Sequence, residues 1–369
     1  MNSLSAANTH FAFDLFQQFK TSKKDDNIFC SPLSISSALA MTYLGAKENT
    51  AFEMEMALHF NEVTENTEGR TTRDHVEKLG NVHHQFQKLL TELKKPTDAN
   101  ELNIANKLYG EKNYQFLQEY MDNVKKFYLT SVESVDFKNA PEESRKKINS
   151  WVESQTHEKI KDLLPKNSLE FTTVLVLVNA IYFKGQWDNK FDKRNTVEKE
   201  FWLNKDIKAK ILEIPYKGKD LSMVLLLPDD VDGLQKLEDQ LTAEKLREWT
   251  SSQNMHDNYV DLYLPRFKVE ETYDLKDTLR ALGMVDVFSP QRANLSGMTG
   301  TKDLLVSKVI HKSFVEVTEE GTEAASSTAV VVNVGSPPTH PFHCDHPFLF
   351  FIRHNKTNSI LFLGRVSSP

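Results

Sequence analysis

The sequence predicts an α+β protein with large sheets, and three observations lead to this prediction. Helical spacing of apolar residues dominates roughly the first 160 residues. Residues 174–183 then form a nearly unbroken apolar run, which is typical of a strand buried on both faces. Later apolar segments are mostly short and strand-like. Helices followed by strands favour an α+β architecture.

The first two helices are predicted by periodicity and by capping residues. Phe11, Leu15 and Phe19 recur every four residues and indicate one apolar helix face. Ser31 followed by Pro32 is typical of a helix start, because serine caps the first turn and proline is tolerated at the first helical position.

Two further helices are predicted over residues 82–93 and 143–160, where apolar residues again recur at helical spacing. Between the second and third helices, residues 61–77 are polar and rich in Thr, Glu and Arg. This segment predicts a loop, since it has too little apolar periodicity to form a buried face.

Strands are predicted for most of the remaining chain. Asn179 interrupts the apolar run 174–183, so its amide must find hydrogen-bond partners in the core. A hairpin is predicted around residues 217–220, where a polar turn containing Gly218 joins two apolar segments. Further strands are predicted over residues 259–264, 308–317, 348–352 and 360–364.

Composition limits the classes of function. The chain has 369 residues, 39% hydrophobic content and a net charge of −7, with no Pro/Gly/Ser-rich linker, so we predict one large domain over residues 1–369, or two merged subdomains. The acidic balance argues against nucleic-acid binding, and no apolar run reaches the roughly 18 residues that span a bilayer. Without a secretory signal pattern, the chain is expected in the cytoplasm or released by an unconventional route. Two cysteines, Cys30 and Cys344, imply no disulfide framework.

The most unusual segment is residues 319–336. Its first half consists almost entirely of small and acidic residues, and its second half contains the β-formers of residues 330–334. A dense apolar strand pattern follows at residues 342–352. An exposed segment able to become a strand, close to a β core, predicts a chain that can change its own sheet.

Two groups of residues suggest alternative chemistries. His311 could act as a catalytic base, but the sequence contains neither a Gly-x-Ser-x-Gly elbow nor a cysteine–histidine signature. A cluster near the C-terminus has residue types that suit zinc, although its spacing matches no zinc finger and prolines interrupt it. Its members are His340, His343, Cys344 and His346.

Together these segments resemble the serpin family along nearly the whole chain. The segments that carry the resemblance are residues 27–35, 177–187, 264–267, 295–298 and 342–352. Residues 13–19, 149–155 and 355–360 are similar to the intracellular, ovalbumin-like clade (clade B) and its squamous cell carcinoma antigen-like branch.

The resemblance implies a serpin fold and a function. The fold has a large central, mostly antiparallel sheet, smaller sheets, about nine helices and an exposed reactive centre loop, here at about residues 319–341. The implied function is inhibition of proteases by a suicide-substrate mechanism and not catalysis: the protease becomes acylated and is trapped when the cleaved loop inserts into the sheet, a change for which serpins are a standard example. Papain-like cysteine or chymotrypsin/elastase-like serine proteases are the implied partners of a monomer that needs no cofactor or metal.

The resemblance also assigns site residues. The reactive bond is predicted at Gly335–Ser336, with Val334 one residue upstream and an alternative bait residue. The hinge that inserts is predicted to comprise Glu319, Glu320, Gly321, Thr322, Glu323, Ala324, Ala325, Ser326, Ser327 and Thr328. The shutter, a hydrogen-bond network beneath the strands that part, is predicted to comprise Ser31, Ser34, Asn179 and His311.

The chain departs from the family pattern between about residues 204 and 210. Relatives carry about twenty more residues there, covering one strand of the upper sheet and one short strand of the barrel. Loss of these elements predicts uncovered strand edges. It also keeps open an alternative function, a non-inhibitory serpin-fold binding or structural protein.

Overall fold

Two sheets organise the chain, one of eight strands and one of five. The structure is a computed structural model and describes residues 3–63, 75–188, 197–204, 208–251, 253–317 and 340–369. Within these residues it has ten α-helices, one more than the expected number of about nine. No helix of this described part combines the length and apolar character needed to cross a bilayer.

The elements follow one another in the predicted order, helices first and then mostly strands. The helices are α1 Ser3–Ser22, α2 Pro32–Gly45, α3 Glu48–Ala57, α4 His75–Leu93, α5 Gln118–Tyr128, α6 Pro141–Gln155, α7 Leu234–Gln240, α8 Ala243–Trp249, α9 Lys276–Ala281 and α10 Ser296–Thr299. The strands are β1 Ile28–Cys30, β2 Asn100–Glu111, β3 Val132–Val135, β4 Leu175–Gly185, β5 Val197–Asn204, β6 Ala209–Pro215, β7 Leu221–Pro228, β8 His256–Tyr263, β9 Phe267–Asp274, β10 Lys308–Val317, β11 His340–His343, β12 Phe348–His354 and β13 Ser359–Val366. Two 3₁₀ turns lie at Phe60–Glu62 and Asp286–Phe288.

The predicted helices are present, with small differences at their ends. The side chain of Ser31 caps α2 by accepting from the backbone N–H of Ser34, and Pro32 is the first helical residue. α4 begins at His75, so the last residues of the predicted loop are helical, while residues 64–74 lie outside the described part. α6 ends at Gln155, five residues before the predicted end, because Thr156 leaves the helical conformation and His157 takes a φ of 49°.

The five-stranded sheet has the order β3-β2-β4-β10-β9. β4 lies at its centre and is buried on both faces, as predicted from the run 174–183. Leu177 and Ile181 face the main core, whereas Val178 and Tyr182 face a second core that is closed by α6. The sheet is therefore covered by helices on both sides.

The eight-stranded sheet has the order β1-β13-β12-β7-β6-β5-β8-β11. All of its pairings are antiparallel except that of β8 with β11. The predicted hairpin is formed by β6 and β7, and the predicted C-terminal pair is formed by β12 and β13. β7, β12 and β13 are almost entirely buried and contribute many residues to the main core.

The two strands on either side of the short connection after residue 204 pair with each other in this sheet. Asn204, at the end of β5, pairs with Ala209, at the start of β6, so the two strands form a hairpin. The other side of β5 pairs with β8. The expectation of an uncovered edge here was wrong, because β5 pairs with a neighbour on each side.

Candidate functional site at the seam between β4 and β10

The candidate site is the boundary between β4 and β10, which we call the seam. The two strands are direct neighbours and run parallel, with a register from Lys308 opposite Val176 to Val315 opposite Phe183. More than 120 residues separate them in sequence, so no hairpin holds them together. Main-chain hydrogen bonds and side-chain contacts alone keep the seam closed.

A polar row crosses the inner face of the sheet at the seam. Asn106 of β2, Asn179 of β4, His311 of β10 and Tyr273 of β9 lie directly opposite one another on four adjacent strands. The first three side chains are joined, because Asn179 donates to Asn106 Oδ1 and accepts from His311 Nδ1 at 2.5 Å. The Tyr273 ring stacks on the His311 ring with centroids 6.5 Å apart.

The N-terminal turn of α2 binds both sides of the seam. The backbone N–H of Ser31 donates to His311 Nε2 at 3.1 Å, which ties β10 to the helix. Asn179 Nδ2 donates to Ser34 Oγ at 2.5 Å, which ties β4 to the same turn. Ser37 continues the network by accepting from Asn106 Nδ2 at 3.0 Å. The amide of Asn179 therefore has the partners that its burial requires.

The network fixes the tautomer of His311. Because Nε2 accepts from a backbone N–H, the ring hydrogen must lie on Nδ1, where it is donated to Asn179 Oδ1. The ring is fully buried, and this burial lowers its pKa to about 3. His311 is thus neutral at physiological pH, and protonation of Nε2 would remove the acceptor that Ser31 needs.

The same residues superficially resemble a catalytic triad. Ser313 Oγ lies 2.5 Å from His311 Nε2, and Asn179 contacts the other ring nitrogen. All three side chains are at most 1% exposed, so no substrate reaches the hydroxyl. An imidazole with a pKa of about 3 is also a weak base at neutral pH. The arrangement serves to hold strands, and the catalytic reading of His311 was wrong.

The four predicted shutter residues, Ser31, Ser34, Asn179 and His311, are brought together in this network. The predicted hinge, residues 319–328, and the predicted reactive bond, residues 334–336, lie outside the described residues. They are placed only by sequence: the loop follows directly after β10, which ends at Val317 at one end of the seam.

The alternative zinc cluster near the C-terminus is not supported where the structure describes its side chains. Burial raises the pKa of the Cys344 thiol, which disfavours the thiolate that binds zinc. Both ring nitrogens of His346 are engaged, Nδ1 with Asp345 at 2.7 Å and Nε2 with the carbonyl oxygen of Pro228 at 2.6 Å. Cys344 is therefore a buried thiol and His346 is held by contacts within the protein, and neither side chain is arranged as a zinc ligand.

Sequence reasoning missed Asn106, Ser37, Ser313 and Tyr273, all of which contact the network. Asn106 carried a usable signal, because it stands in phase with Leu102, Ile104 and Leu108 on an otherwise apolar face of β2. This is the same pattern that drew attention to Asn179. Ser313 and Tyr273 carry no such signal, since their roles depend on strands that are adjacent only in the fold.

Comparison with known proteins shows the family. A family model described as Serpin (serine protease inhibitor) matches residues 6–369. The chain is similar to Serpin B3 of Homo sapiens, with 65% identity over 393 positions, and to leukocyte elastase inhibitor of Equus caballus, with 48% identity over 395 positions. In both cases all of this chain and all of the relative are covered. The solved structure of uncleaved ovalbumin matches with a TM-score of 0.87, 36% identity and complete coverage of both chains.

The chain therefore belongs to the serpin family of protease inhibitors, and it is not an enzyme. The identity to Serpin B3 and the structural match to ovalbumin confirm the predicted clade and the predicted α+β fold.

Proposed function

We propose that this serpin traps its target protease by inserting its cleaved loop into the seam between β4 and β10. The observation that supports this most is the direct parallel pairing of these two strands. The chain leaves β10 at Val317, so a segment that turns back from there runs antiparallel to both β10 and β4. Insertion would replace one parallel ladder by two antiparallel ladders, which are slightly more stable per residue.

The loop has the length that this insertion requires. Residues 322–335 span about 46 Å when extended, at roughly 3.3 Å per residue. β4 has 11 residues, and its extended length is therefore about 36 Å. A cleaved loop of this size can run along the whole seam and carry an attached protease from one end of the sheet to the other.

The composition of the hinge suits entry into a packed sheet. Side chains alternate in a strand, so Thr322, Ala324, Ser326 and Thr328 would share one face. Glu323 would lie on the opposite face, which we assign to the solvent side. Small residues at the inward positions allow insertion without displacing the core.

We place the reactive bond at Gly335–Ser336 and the target among papain-like cysteine or chymotrypsin/elastase-like serine proteases. Val334 supplies the apolar residue that papain-like enzymes prefer just upstream of the bond. Cleavage one residue earlier, after Val334, would suit an elastase-like pocket, and similarity to leukocyte elastase inhibitor supports this second class. We assign the inhibitor to the cytoplasm and expect it to act as a monomer.

The short connection after β5 raises the question of whether the protein stays intact enough to act as an inhibitor. The alignment with Serpin B3 spans 393 positions, 24 more than the 369 residues of this chain, so Serpin B3 has residues that this chain lacks. We place this deletion in the region of residues 204–210. The sheet closes across the short connection, because β5 pairs with both β6 and β8. The eight-stranded sheet can therefore be continuous without the missing segment.

The test is a protease panel containing a papain-like enzyme, an elastase and a chymotrypsin. We expect an SDS-stable complex with one class, with cleavage at Gly335–Ser336 or one residue upstream. Ala324→Arg and Ala325→Arg are a matched pair of variants that distinguishes a loop that inserts after cleavage from a loop that is only cleaved. Arginine at 324 should block entry and turn the inhibitor into a substrate, whereas arginine at 325 should retain complex formation.

Thermal stability provides a test that is independent of the target. An inserted strand of about ten residues would add on the order of 10 kcal/mol in main-chain hydrogen bonds, enough to raise the melting temperature by at least about 10 °C. Loop cleavage without such a rise, and without an SDS-stable complex on the panel, would favour the alternative of a non-inhibitory binding or structural protein.

A further inference from the structure

A cluster of imidazoles and carboxylates lies away from the seam, where α1, α8 and the 3₁₀ turn Phe60–Glu62 meet. His10 projects from α1, His59 caps the 3₁₀ turn, and Glu62 ends that turn. One ligand atom from each of these three residues lies within 4.8 Å of the others. Among the described residues, this is the group of histidine and acidic side chains whose geometry fits a metal ion.

Glu62 lies between the two histidine rings. His10 Nδ1 is 2.7 Å from one oxygen of its carboxylate, and His59 Nδ1 is 3.0 Å from the other. The ring centroids are 5.4 Å apart. Both rings are about one quarter exposed and Glu62 is about one third exposed, so the group is reached from solvent.

The outer nitrogen of each ring contacts a second carboxylate. His10 Nε2 lies 2.8 Å from Glu244, in the first turn of α8, and His59 Nε2 lies 2.6 Å from Asp14, one turn after His10 on α1. A carboxylate only accepts, so Nε2 of each ring carries a hydrogen. This carboxylate–histidine arrangement is the one that orients histidine ligands in metal sites.

The same rule places a hydrogen on Nδ1 of each ring, where it is donated to one oxygen of Glu62. A metal ion that binds here would displace these two hydrogens and take their place beside the Glu62 carboxylate, because histidine binds metals in its neutral form. The carboxylates of Asp14, Glu62 and Glu244 surround the two rings. The same negative surroundings favour a metal cation.

The backbone also holds His59 in an uncommon conformation. Its φ of 60° and ψ of 25° lie in the left-handed region, which few residues other than glycine adopt. This conformation places His59 next to Glu62 and opposite His10. Local strain of this kind is found where a side chain must be aimed for a function.

We propose that His10, His59 and Glu62 form a zinc-binding site, with Asp14 and Glu244 orienting the two imidazoles. Zinc accepts two histidine nitrogens and a carboxylate as protein ligands, with water completing a tetrahedral site. Ligand atoms at about 2.0–2.1 Å from zinc lie about 3.3 Å apart, so the present contacts of 2.7 and 3.0 Å need to open by only a few tenths of an ångström.

The site is distinct from the seam and does not depend on the proposed inhibitory function. Its ligands come from α1 and the 3₁₀ turn, and its orienting carboxylates from α1 and α8. A bound ion would therefore join α1 directly to the 3₁₀ turn, and α8 would be joined through the contact of Glu244 with His10. We expect it to stabilise the folded protein, because a ligand that binds only the folded state raises its stability.

The test is titration of the full-length, metal-free protein with zinc chloride against a chromophoric chelator. We expect one zinc ion per chain and a zinc-dependent rise in melting temperature. His10→Gln and His59→Asn should each weaken zinc affinity at least ten-fold, and Asp14→Asn or Glu244→Gln by about 10- to 100-fold. Asparagine is chosen at position 59 because it tolerates the left-handed conformation.

Two controls make the result decisive. His157 contacts one carboxylate, Glu101, at 2.8 Å, so His157→Asn removes a comparable histidine–carboxylate pair outside the cluster and should leave zinc affinity unchanged. His343→Asn with His346→Asn tests the C-terminal histidines and should also have no effect. Circular dichroism of each metal-free variant verifies folding.

Absence of stoichiometric zinc binding to the wild-type protein would overturn the proposal. So would zinc affinity that is retained in folded His10→Gln and His59→Asn but lost in the C-terminal double variant. Loss confined to the cluster variants, including the well exposed Glu244→Gln, would support it.

Discussion

The two sheets of this serpin differ in how neighbouring strands are joined. In the eight-stranded sheet, β12 and β13 form a hairpin, and Phe350 packs so closely on Gly364 that a Cβ there would meet its ring. In the five-stranded sheet, β4 and β10 are distant in sequence, and the inner side of their seam includes a polar contact, the hydrogen bond between His311 and Asn179. The interlocked pair of the first sheet is apolar, whereas the second sheet has a polar row among apolar residues at its centre.

The difference shows how one domain can combine a permanent core with a sheet that opens. Interlocked aromatic rings cannot be separated without creating a cavity, because protein interiors are close-packed. Hydrogen bonds can be exchanged, since an inserted strand brings its own donors and acceptors. We therefore expect substitutions in the two sheets to affect intact and loop-cleaved protein differently.

The largest effect is expected from Phe350→Ala in the eight-stranded sheet. Phe350 is fully buried and its ring lies 5.8 Å from that of Phe29. Its removal should lower the free energy of unfolding by about 3–5 kcal/mol, because the cavity cannot collapse around Gly364. Denaturant titration should show the same loss in intact and cleaved protein, since this sheet is not rearranged.

Phe171→Ala is the matched control for this loss. Its ring is 71% exposed, so the change should stay within about 0.5 kcal/mol. A loss from Phe350→Ala that largely disappeared after cleavage would show that the eight-stranded sheet also changes, and the contrast between the sheets would fail.

The second effect concerns Asn179→Ala at the seam. This change removes one buried hydrogen-bond partner from each of Ser34, Asn106 and His311, which should cost about 2–4 kcal/mol in the intact protein. The loss should be smaller after loop cleavage, because the proposed insertion separates Asn179 from His311. Melting curves of both forms measure the difference.

Asn103→Ala provides the comparison for Asn179. Asn103 lies on β2 and bonds to Glu101 near the surface, so its loss should have little effect in either form. Equal destabilisation of intact and cleaved protein by Asn179→Ala would indicate that the two strands stay paired after cleavage.

The third effect is a pH dependence that originates at His311. Its pKa is about 3 in the folded protein and about 6.5 in the unfolded chain, so the unfolded chain binds the proton first as the pH falls. The stability contributed by neutral His311 is therefore complete above pH 6.5 and is lost towards pH 3. Between pH 6.5 and pH 5 the loss should be about 2 kcal/mol.

Denaturant titration at several pH values checks this dependence against two variants. His311→Gln should be less stable at neutral pH but should lose this part of the pH dependence. Phe171→Ala, which changes an exposed residue that does not titrate, should keep the wild-type slope. An unchanged slope in His311→Gln would assign the acid sensitivity to other groups, such as His83, whose pKa burial also lowers to about 3.

Sequence patterns predicted the fold better than the site. The run 174–183 predicted β4 because apolar residues on both faces leave few other conformations, and Ser31-Pro32 predicted the start of α2 because capping is local. α3 was not predicted, since it carries exposed Phe52 and Met56 and shows no clear apolar face.

The site was predictable only where the residues themselves were unusual or the family resemblance placed them. Asn179 stood out as a lone amide in an apolar run. Asn106, in phase with apolar neighbours on β2, was recognised only when the register placed it opposite Asn179. His10 and His59 are 49 residues apart, and nothing local to either predicts that a left-handed residue at position 59 brings them together.

The smallest effect compares two helix caps of the same kind. Ser31 caps α2 beneath the seam, and Thr242 caps α8 away from it, each by accepting from the backbone N–H three residues later. Ser31→Ala and Thr242→Ala should each lower stability by about 1 kcal/mol, which shifts the melting temperature of a chain of this size by about 1–3 °C.

These caps should differ in their effect on the seam, although their effects on stability are alike. Loss of the Ser31 cap loosens the turn that binds both His311 and Asn179, so the strands should part more readily. A synthetic peptide with the sequence of residues 322–335 should therefore anneal faster to Ser31→Ala than to Thr242→Ala. Equal annealing rates would mean that the α2 turn does not restrain the seam, and the main-chain ladder between β4 and β10 would then be what keeps the sheet closed.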